Sequence, residues 1–160
     1  MKQKTNQEFI QELLRHKRRI AEYLNFALLE LNKRNVEHDL SKLAEIEMNG
    51  FKTIFPKKKH TSYYSKEYKE ALQSIQPSIE HHYKNNSHHP EHFSNGINGM
   101  NLLDLIEMIC DWISAMETDN EEEINKNLQV NKHRFEIDEQ LFSVLKNTVS
   151  FIVGANERKL

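Results

Sequence analysis

Apolar residues recur at three- and four-residue steps along most of the chain, which is the spacing of amphipathic helices. The first such stretch runs from about Gln7 to Arg34 and contains neither Gly nor Pro. Its apolar positions are Ile10, Leu13, Leu14, Ile20, Leu24, Ala27, Leu28 and Leu31. Alternating apolar and polar residues, the pattern of a half-buried strand, do not extend far enough to predict a sheet. The pattern therefore predicts an all-α protein that begins with one long helix.

Turn and cap residues separate the remaining helices. We expect a second helix to begin near Ser41 and to stop at Gly50, followed by a loop to about Ser65. A third begins at Ser65, and Pro77 either starts a new segment or kinks the helix before its end near Lys84. The later elements are a loop over 85–99, a helix over 102–116 capped by Asn101, and helices over about 121–132 and 138–151. These elements predict one compact domain over 1–160, with about five to seven helices.

Length, charge and cysteine content narrow the class of protein. The chain has 160 residues, the size of one ordinary domain, and its net charge of -2 gives no general attraction to nucleic acid. Its single cysteine, Cys110, excludes a disulfide scaffold and a cysteine-rich zinc module. The segment before Phe9 lacks the order of a signal peptide, in which a basic stretch precedes an apolar one. The most apolar stretch, Leu102 to Ile113, is too short and too charged to span a membrane. We therefore expect a cytoplasmic protein.

Histidines are the unusual feature of the composition. The chain contains nine, and five of them fall in the run EHHYKNNSHHPEHF, as the pairs His81-His82 and His88-His89 followed by His92. Neutral imidazole is a good ligand for Zn, Fe, Ni, Mn or Co, and one pair at a helix end can converge with a pair in the following loop. The alternative is a polar loop whose histidines form no functional metal site, or whose histidine pairs bind nickel adventitiously.

Two further groups of residues carry possible chemistry. His38 and Asp39 are adjacent, so both side chains could bind one divalent ion, and Lys42 follows at a distance suited to a phosphate oxygen or a carboxylate. Asp104, Glu107 and Asp111 share one side of the helix NLLDLIEMICDWISAM, among apolar neighbours. A partly desolvated carboxylate needs a cation or several donors. The alternatives are an ordinary capping His-Asp pair, an acid that supports the helix dipole, and a structural ion pair.

In chain order these residues give H-D, H-H, H-H and D on an all-α background, which resembles the HD superfamily of metal-dependent phosphohydrolases. The HD-GYP branch is the nearest likeness. The segment His38-Asp39-Leu40-Ser41-Lys42 looks like its HD-x-G-K element, His81-His82 and the following loop look like its H-H-E element, and Ile109-Cys110-Asp111-Trp112 looks like the helix with its last metal aspartate. The run from His81 through NGMNLLDLIEMICDW is also similar to a family of unknown function that is common in phages and prophages.

The resemblance implies one or two divalent transition-metal ions (Mn, Fe, Zn, Ni or Co) and hydrolysis of a phosphate ester, usually of a nucleotide. The implied metal ligands are His16, His38, Asp39, His82, His89 and Asp111. The implied catalytic residues are Lys42, which offsets phosphoryl charge, His81 and His88, which supply a ligand or a proton, and Glu107, which orients a ligand. His16 can contribute only if the first helix reverses, because the 22 residues from His16 to His38 span about 33 Å of straight helix. The GYP residues are missing, so cyclic dinucleotide specificity is not implied.

Two other functions compete with the phosphohydrolase. The first is a non-catalytic, metal-stabilised phage protein that sequesters a nucleotide or a host factor, with a closed coordination sphere in place of an open position for water. The second is nucleic-acid binding through the basic run Lys57 to His60 with Tyr63 and Tyr64, which needs a basic surface interleaved with aromatics. We favour the enzyme, with a phosphorylated small molecule as its substrate and neither nucleic acid nor membrane as a partner.

Overall fold

The computed structural model describes residues 5–58, 65–116, 118 and 120–157, and these residues form helices and no strand. The α-helices are α1 (Asn6–Glu37), α2 (Glu45–Lys58), α3 (Lys66–Ser74), α4 (Gln76–Asn85), α5 (Leu102–Ser114), α6 (Glu121–Arg134) and α7 (Glu139–Glu157). Single turns of 3₁₀ helix cover Leu40–Leu43, Pro90–His92 and Gly96–Gly99. The predicted all-α class is confirmed. Within the described ranges, no helix is both long and apolar enough to cross a membrane.

The contacts within the chain divide it into two units, and the boundary lies between Glu37 and His38 in the sequence. The first unit contains α1, an unbroken helix of 32 residues, as the periodicity predicts. Its first turn is capped reciprocally, because Glu8 Oε2 accepts from Thr5 N at 2.8 Å and Glu8 N donates to Thr5 Oγ1 at 3.3 Å. A single domain over 1–160 stays a prediction, and the second unit is described by itself below.

Two apolar clusters hold the second unit together. The larger joins α5 to α6 and α7, and its centre is Met108 and Ile109, which are almost fully buried. The smaller joins α2, α3 and α4 through Ile54, Ala71, Ile75 and Ile79. In this unit α2 packs against α4, and α5 packs against α7.

The predicted end of the second helix at Gly50 is wrong. A turn of 3₁₀ helix over Leu40–Leu43 comes first, and α2 then runs from Glu45 through Gly50 to Lys58. The expected loop from Gly50 is therefore helical up to Lys58, and its stretch 59–64 lies outside the described residues. A Cβ at position 50 would lie 2.1 Å from Ser78 Oγ and 2.7 Å from Ser78 Cβ. Glycine is present because α2 and α4 approach closely there.

The structure decides between the two alternatives at Pro77 and confirms the cap predicted at Asn101. Pro77 lies in the first turn of α4, so it starts a new segment, and α4 ends at Asn85. Asn101 caps α5 in a full capping box: its side chain accepts from the amides of Leu103 and Asp104, and the Asp104 carboxylate accepts from Asn101 N. The start of α5 is fixed in this way, and Glu107 and Asp111 follow on that helix.

Candidate metal centre

The second unit brings predicted residues from four segments into one cluster. His38 and Asp39 come from the connection that precedes α2, His82 from α4, His88 and His89 from the loop after α4, and Glu107 and Asp111 from α5. This loop contains a turn of 3₁₀ helix over Pro90–His92, which follows the two histidines. Its start is fixed by Asn86, whose side-chain amide donates to His82 O at 2.7 Å and to Ser41 Oγ at 2.6 Å. The cluster is therefore held by hydrogen bonds as well as by packing.

Asp39 lies at the centre of the cluster and has an uncommon backbone conformation. Its φ is 57°, in the left-handed region, where Asp and Asn are the commonest residues after Gly. Its Oδ1 lies 3.4 Å from His82 Nε2 and 3.5 Å from His88 Nε2. Its Oδ2 lies 3.6 Å from His38 Nε2 and forms an ion pair with the Lys42 ammonium. The two oxygens of one carboxylate thus face two different sets of side chains.

These sets could each hold a metal ion. In the histidine group, Asp39, His82, His88 and His89 each offer one ligand atom, and in the aspartate group His38, Asp39 and Asp111 do so. The ligand atoms of each group lie within 4.8 Å of one another. Asp39 Oδ1 and His88 Nε2 are buried and have no hydrogen-bond partner among the described residues. A buried polar atom needs a partner, and a cation in the histidine group would satisfy both atoms.

Glu107 lies behind two of the histidine rings. Its Oε1 is 2.9 Å from His38 Nδ1 and 3.2 Å from His88 Nδ1, on the opposite side of each ring from Asp39. His38, His88 and Glu107 form a third set that could hold an ion, but that set uses the Nδ1 atoms. An ion held by this third set would leave His88 Nε2 buried without a partner in the described part of the chain. The arrangement therefore suits Glu107 as an orienting acceptor, the role that the sequence predicts for it.

Glu47 is a buried carboxylate that the sequence analysis missed. It is fully buried on α2, where its Oε2 accepts from Ser41 Oγ at 3.1 Å and lies 2.8 Å from His82 Nδ1. Its Oε1 lies 2.6 Å from His81 Nδ1. A glutamate beside Ile46 in a helical stretch looks like an ordinary polar position. The only available signal was its place on the helix that follows the His-Asp pair.

Neighbouring charges and burial both shift the pKa values of the cluster. The carboxylate of Asp111, with those of Glu107 and Asp39, raises the pKa of His38 to about 9. Burial opposes ionisation of Asp39, but the Lys42 ammonium together with His38 and His82 lowers the pKa of Asp39. Burial lowers the pKa of His88, and burial with the nearby His88 and His82 lowers the pKa of His89 to about 3. Ionised carboxylates and unprotonated imidazoles are the forms that bind metal ions, so His38, whose pKa is raised, must lose a proton before it binds one.

The other predicted residues have different surroundings. His81 belongs to neither group as far as the described residues show, and its side chain is 35% exposed on α4. Lys42 is exposed and adjoins Asp39. His16 lies in the middle of α1, and the reversal of the helix that it requires is not present between His16 and Glu37. In the basic segment, Lys59, His60, Tyr63 and Tyr64 lie outside the described residues.

The donor set defines the kind of ion that the centre would take. Four imidazoles and two aspartates are nitrogen and oxygen donors without a thiolate, which suits Zn, Fe, Mn, Ni or Co better than Mg or Ca. The aspartate group supplies three residues, a number that leaves positions for water or substrate. The second unit therefore has a candidate centre for one or two divalent transition-metal ions, with Asp39 common to both positions.

Fold and donor set together define an all-α protein with a candidate divalent-metal centre. The chain belongs to a family of unknown function, DUF5662, whose model matches residues 5–151. This match confirms the predicted kinship with a family of unknown function, and it names neither phages nor the HD superfamily. No curated protein and no solved structure gave a significant match.

Proposed function

We propose that this protein is a divalent-metal-dependent phosphohydrolase that acts on a nucleotide or a similar phosphorylated small molecule. The observation that carries the proposal is the position of Asp39, whose two carboxylate oxygens face the histidine group and the aspartate group. A carboxylate shared by two cations is suited to an in-line displacement at phosphorus, in which attacking and leaving oxygens both need stabilisation. The chain order of the motifs, which resembles that of HD phosphohydrolases, supports the same reaction class.

The ligands for the cations are His38, Asp39 and Asp111 in the aspartate group, with His82, His88 and His89 completing the histidine group. A bound divalent cation supplies Lewis acidity toward a phosphoryl oxygen and lowers the pKa of water. His88 is 2% exposed and its Nε2 faces Asp39, so a ligand role suits it better than the alternative role of proton donor.

Two accessible residues are suited to the remaining tasks. Lys42 is 45% exposed at the side chain and adjoins Asp39, so its ammonium can offset negative charge on a phosphoryl oxygen. The His81 ring contacts Glu47 through Nδ1 and is partly exposed, so it can give a proton to the leaving oxygen as the phosphorus–oxygen bond breaks. The attacking water contributes its oxygen and one proton to the phosphate, and its second proton restores the His81 ring.

Phosphate release from a panel of nucleoside mono-, di- and triphosphates tests the proposal. The full chain without a histidine tag is freed of metal with a chelator and reloaded with Mn²⁺, Co²⁺, Zn²⁺, Ni²⁺ or Fe²⁺. We expect hydrolysis only after reloading, and a kcat lowered by about 10²–10⁴ in His81→Asn, as for loss of a general acid. His133→Asn, which changes an exposed histidine of α6, should keep wild-type activity.

A chain that retains stoichiometric metal and hydrolyses no member of the panel would contradict the proposal. That result would favour the non-catalytic alternative, a metal-stabilised protein that binds a nucleotide or another protein. Metal bound with hydrolysis unaffected by chelation would also contradict it, because the cations would then have no part in the reaction.

A further inference from the structure

Glu47 and Asp39 lie on opposite sides of the His82 ring. Glu47 Oε2 is 2.8 Å from His82 Nδ1, while His82 Nε2 is 3.4 Å from Asp39 Oδ1 and 2.9 Å from His89 Nε2. Both Glu47 and His82 are buried, at 0% and 5% exposure, so water does not compete for either ring nitrogen. The ring is therefore held between one carboxylate that does not belong to the histidine group and the group itself.

Glu47 decides which ring nitrogen carries the proton, although Asn86 Nδ2 and Ser41 Oγ also lie near His82 Nδ1, at 3.2 and 3.3 Å. Neither has to donate to that nitrogen, because Asn86 Nδ2 donates to His82 O and Ser41 Oγ, and Ser41 Oγ donates to Glu47. An ionised carboxylate can only accept hydrogen bonds, so the ring must donate from Nδ1. In the neutral imidazole Nε2 then has a lone pair that points toward Asp39 and His89. The other tautomer would place the Nδ1 lone pair against the carboxylate at 2.8 Å and would protonate the nitrogen that faces the group.

We propose that Glu47 is a positioning residue that fixes His82 as an Nε2 ligand, and that it acts on the histidine group and not on the aspartate group. This inference rests on the metal centre of the proposed function but not on hydrolysis. Carboxylates behind metal-binding histidines orient the ring and raise its basicity. The selectivity follows from the contacts, because Glu107 is the acceptor at His38 Nδ1, on the ring that belongs to the aspartate group.

The other partners of Glu47 make it a rigid support. Ser41 Oγ donates to Oε2 at 3.1 Å, and Ser41 in turn accepts from Asn86 Nδ2 at 2.6 Å. His81 contacts the other oxygen, Oε1, at 2.6 Å. The oxygen that orients His82 is thus fixed by a chain of hydrogen bonds from the start of the loop, and removal of His81 leaves that oxygen in place.

Metal titrations of Glu47→Gln test the inference on the full chain. Glutamine keeps the shape of the side chain but removes the charge that fixes the tautomer. We expect the affinity of the histidine group for Zn²⁺ to fall by about 10–100-fold, while the aspartate group keeps its affinity. Competition with a chelator measures the affinities, and the absorption spectrum of the Co²⁺ form reports the change in nitrogen ligation.

Two variants control for effects that do not pass through His82. His81→Asn removes the neighbouring partner of Glu47 and should leave Zn²⁺ affinity at the wild-type value. Asp104→Asn removes another buried carboxylate, which accepts from Ser87 Oγ at 2.8 Å and caps α5. It should lower the free energy of unfolding without the loss of Zn²⁺ affinity. A tenfold or greater loss in Asp104→Asn, equal to that in Glu47→Gln, would overturn the inference.

The tautomer can be observed in the wild-type chain, so this test does not require that Glu47→Gln folds. Nitrogen-15 NMR of the histidine rings, with His82 assigned by its absence in His82→Asn, should show a proton on Nδ1 in the metal-free protein. A proton on Nε2 of His82, or unchanged Zn²⁺ affinity in Glu47→Gln, would overturn the inference. The metal centre itself is tested separately, by the loss of bound metal in Asp39→Asn. If the wild type binds metal and shows this tautomer but hydrolyses nothing, the proposed function fails and the inference stands.

Discussion

Asp39→Asn should remove both metal equivalents, and Asp111→Asn should remove only one. This result is expected because Asp39 belongs to both groups, whereas Asp111 belongs to the aspartate group alone. Asparagine tolerates the left-handed backbone at position 39 about as well as aspartate, so the local chain conformation is preserved. We expect a loss of affinity larger than the roughly 10–100-fold that follows from loss of an orienting partner.

Elemental analysis of dialysed protein, expressed as metal ions per chain, measures the effect. Circular dichroism and thermal unfolding of the metal-free variants establish that the helices are intact. Retention of full metal content in Asp39→Asn would contradict the shared-carboxylate arrangement. Equal losses in the two variants would contradict the division into two groups and would indicate a single ion.

Gly50→Ala should lower the free energy of unfolding, although alanine is the better helix former. The gain in helix propensity is about 1 kcal/mol, whereas overpacking of a tight contact costs about 1–3 kcal/mol. The overlap should prevail because Ser78 Cβ, at 2.7 Å, cannot rotate away as a flexible side-chain end can. Metal affinity should fall as well, since α2 carries Glu47 and α4 carries His82.

Urea unfolding of matched variants measures this prediction. Gly154→Ala is the control, because a Cβ at position 154 in α7 meets nothing within 4 Å, and it should be neutral or stabilising. The double variant Gly50→Ala with Ser78→Gly should recover part of the lost stability, since the overlapping atoms are then removed from α4. A Gly50→Ala protein as stable as Gly154→Ala would show that the two helices separate at little cost.

The helices were predictable from the sequence because their signals are local. Asn101 and Pro77 mark helix starts through backbone chemistry within one turn, and the apolar spacing of α1 is uninterrupted. The predicted helix end at Gly50 is wrong because glycine not only ends helices but also permits close contacts between them. Only the position of Ser78, on another helix, distinguishes these two uses.

The residues of the candidate site also differ in whether a local signal or a contact between distant segments reveals them. The pairs His38-Asp39 and His88-His89 stand out because two side chains that can bind a metal ion are adjacent, and the structure brings them together. Glu47 has no such neighbour, and its role depends on a contact between α2 and α4. The prediction of His16 as a metal ligand rests only on the expectation of a further ligand. The unbroken α1 provides no turn that would support this role.

The backbone of Asp39 imposes a trade-off on any attempt to make the protein more robust. A left-handed conformation costs a non-glycine residue about 1–2 kcal/mol, and this cost is present whether or not a cation is bound. Glycine would remove the strain and with it the carboxylate that both groups share. Selection for thermal tolerance alone would therefore favour, at this one position, the substitution that disables the centre.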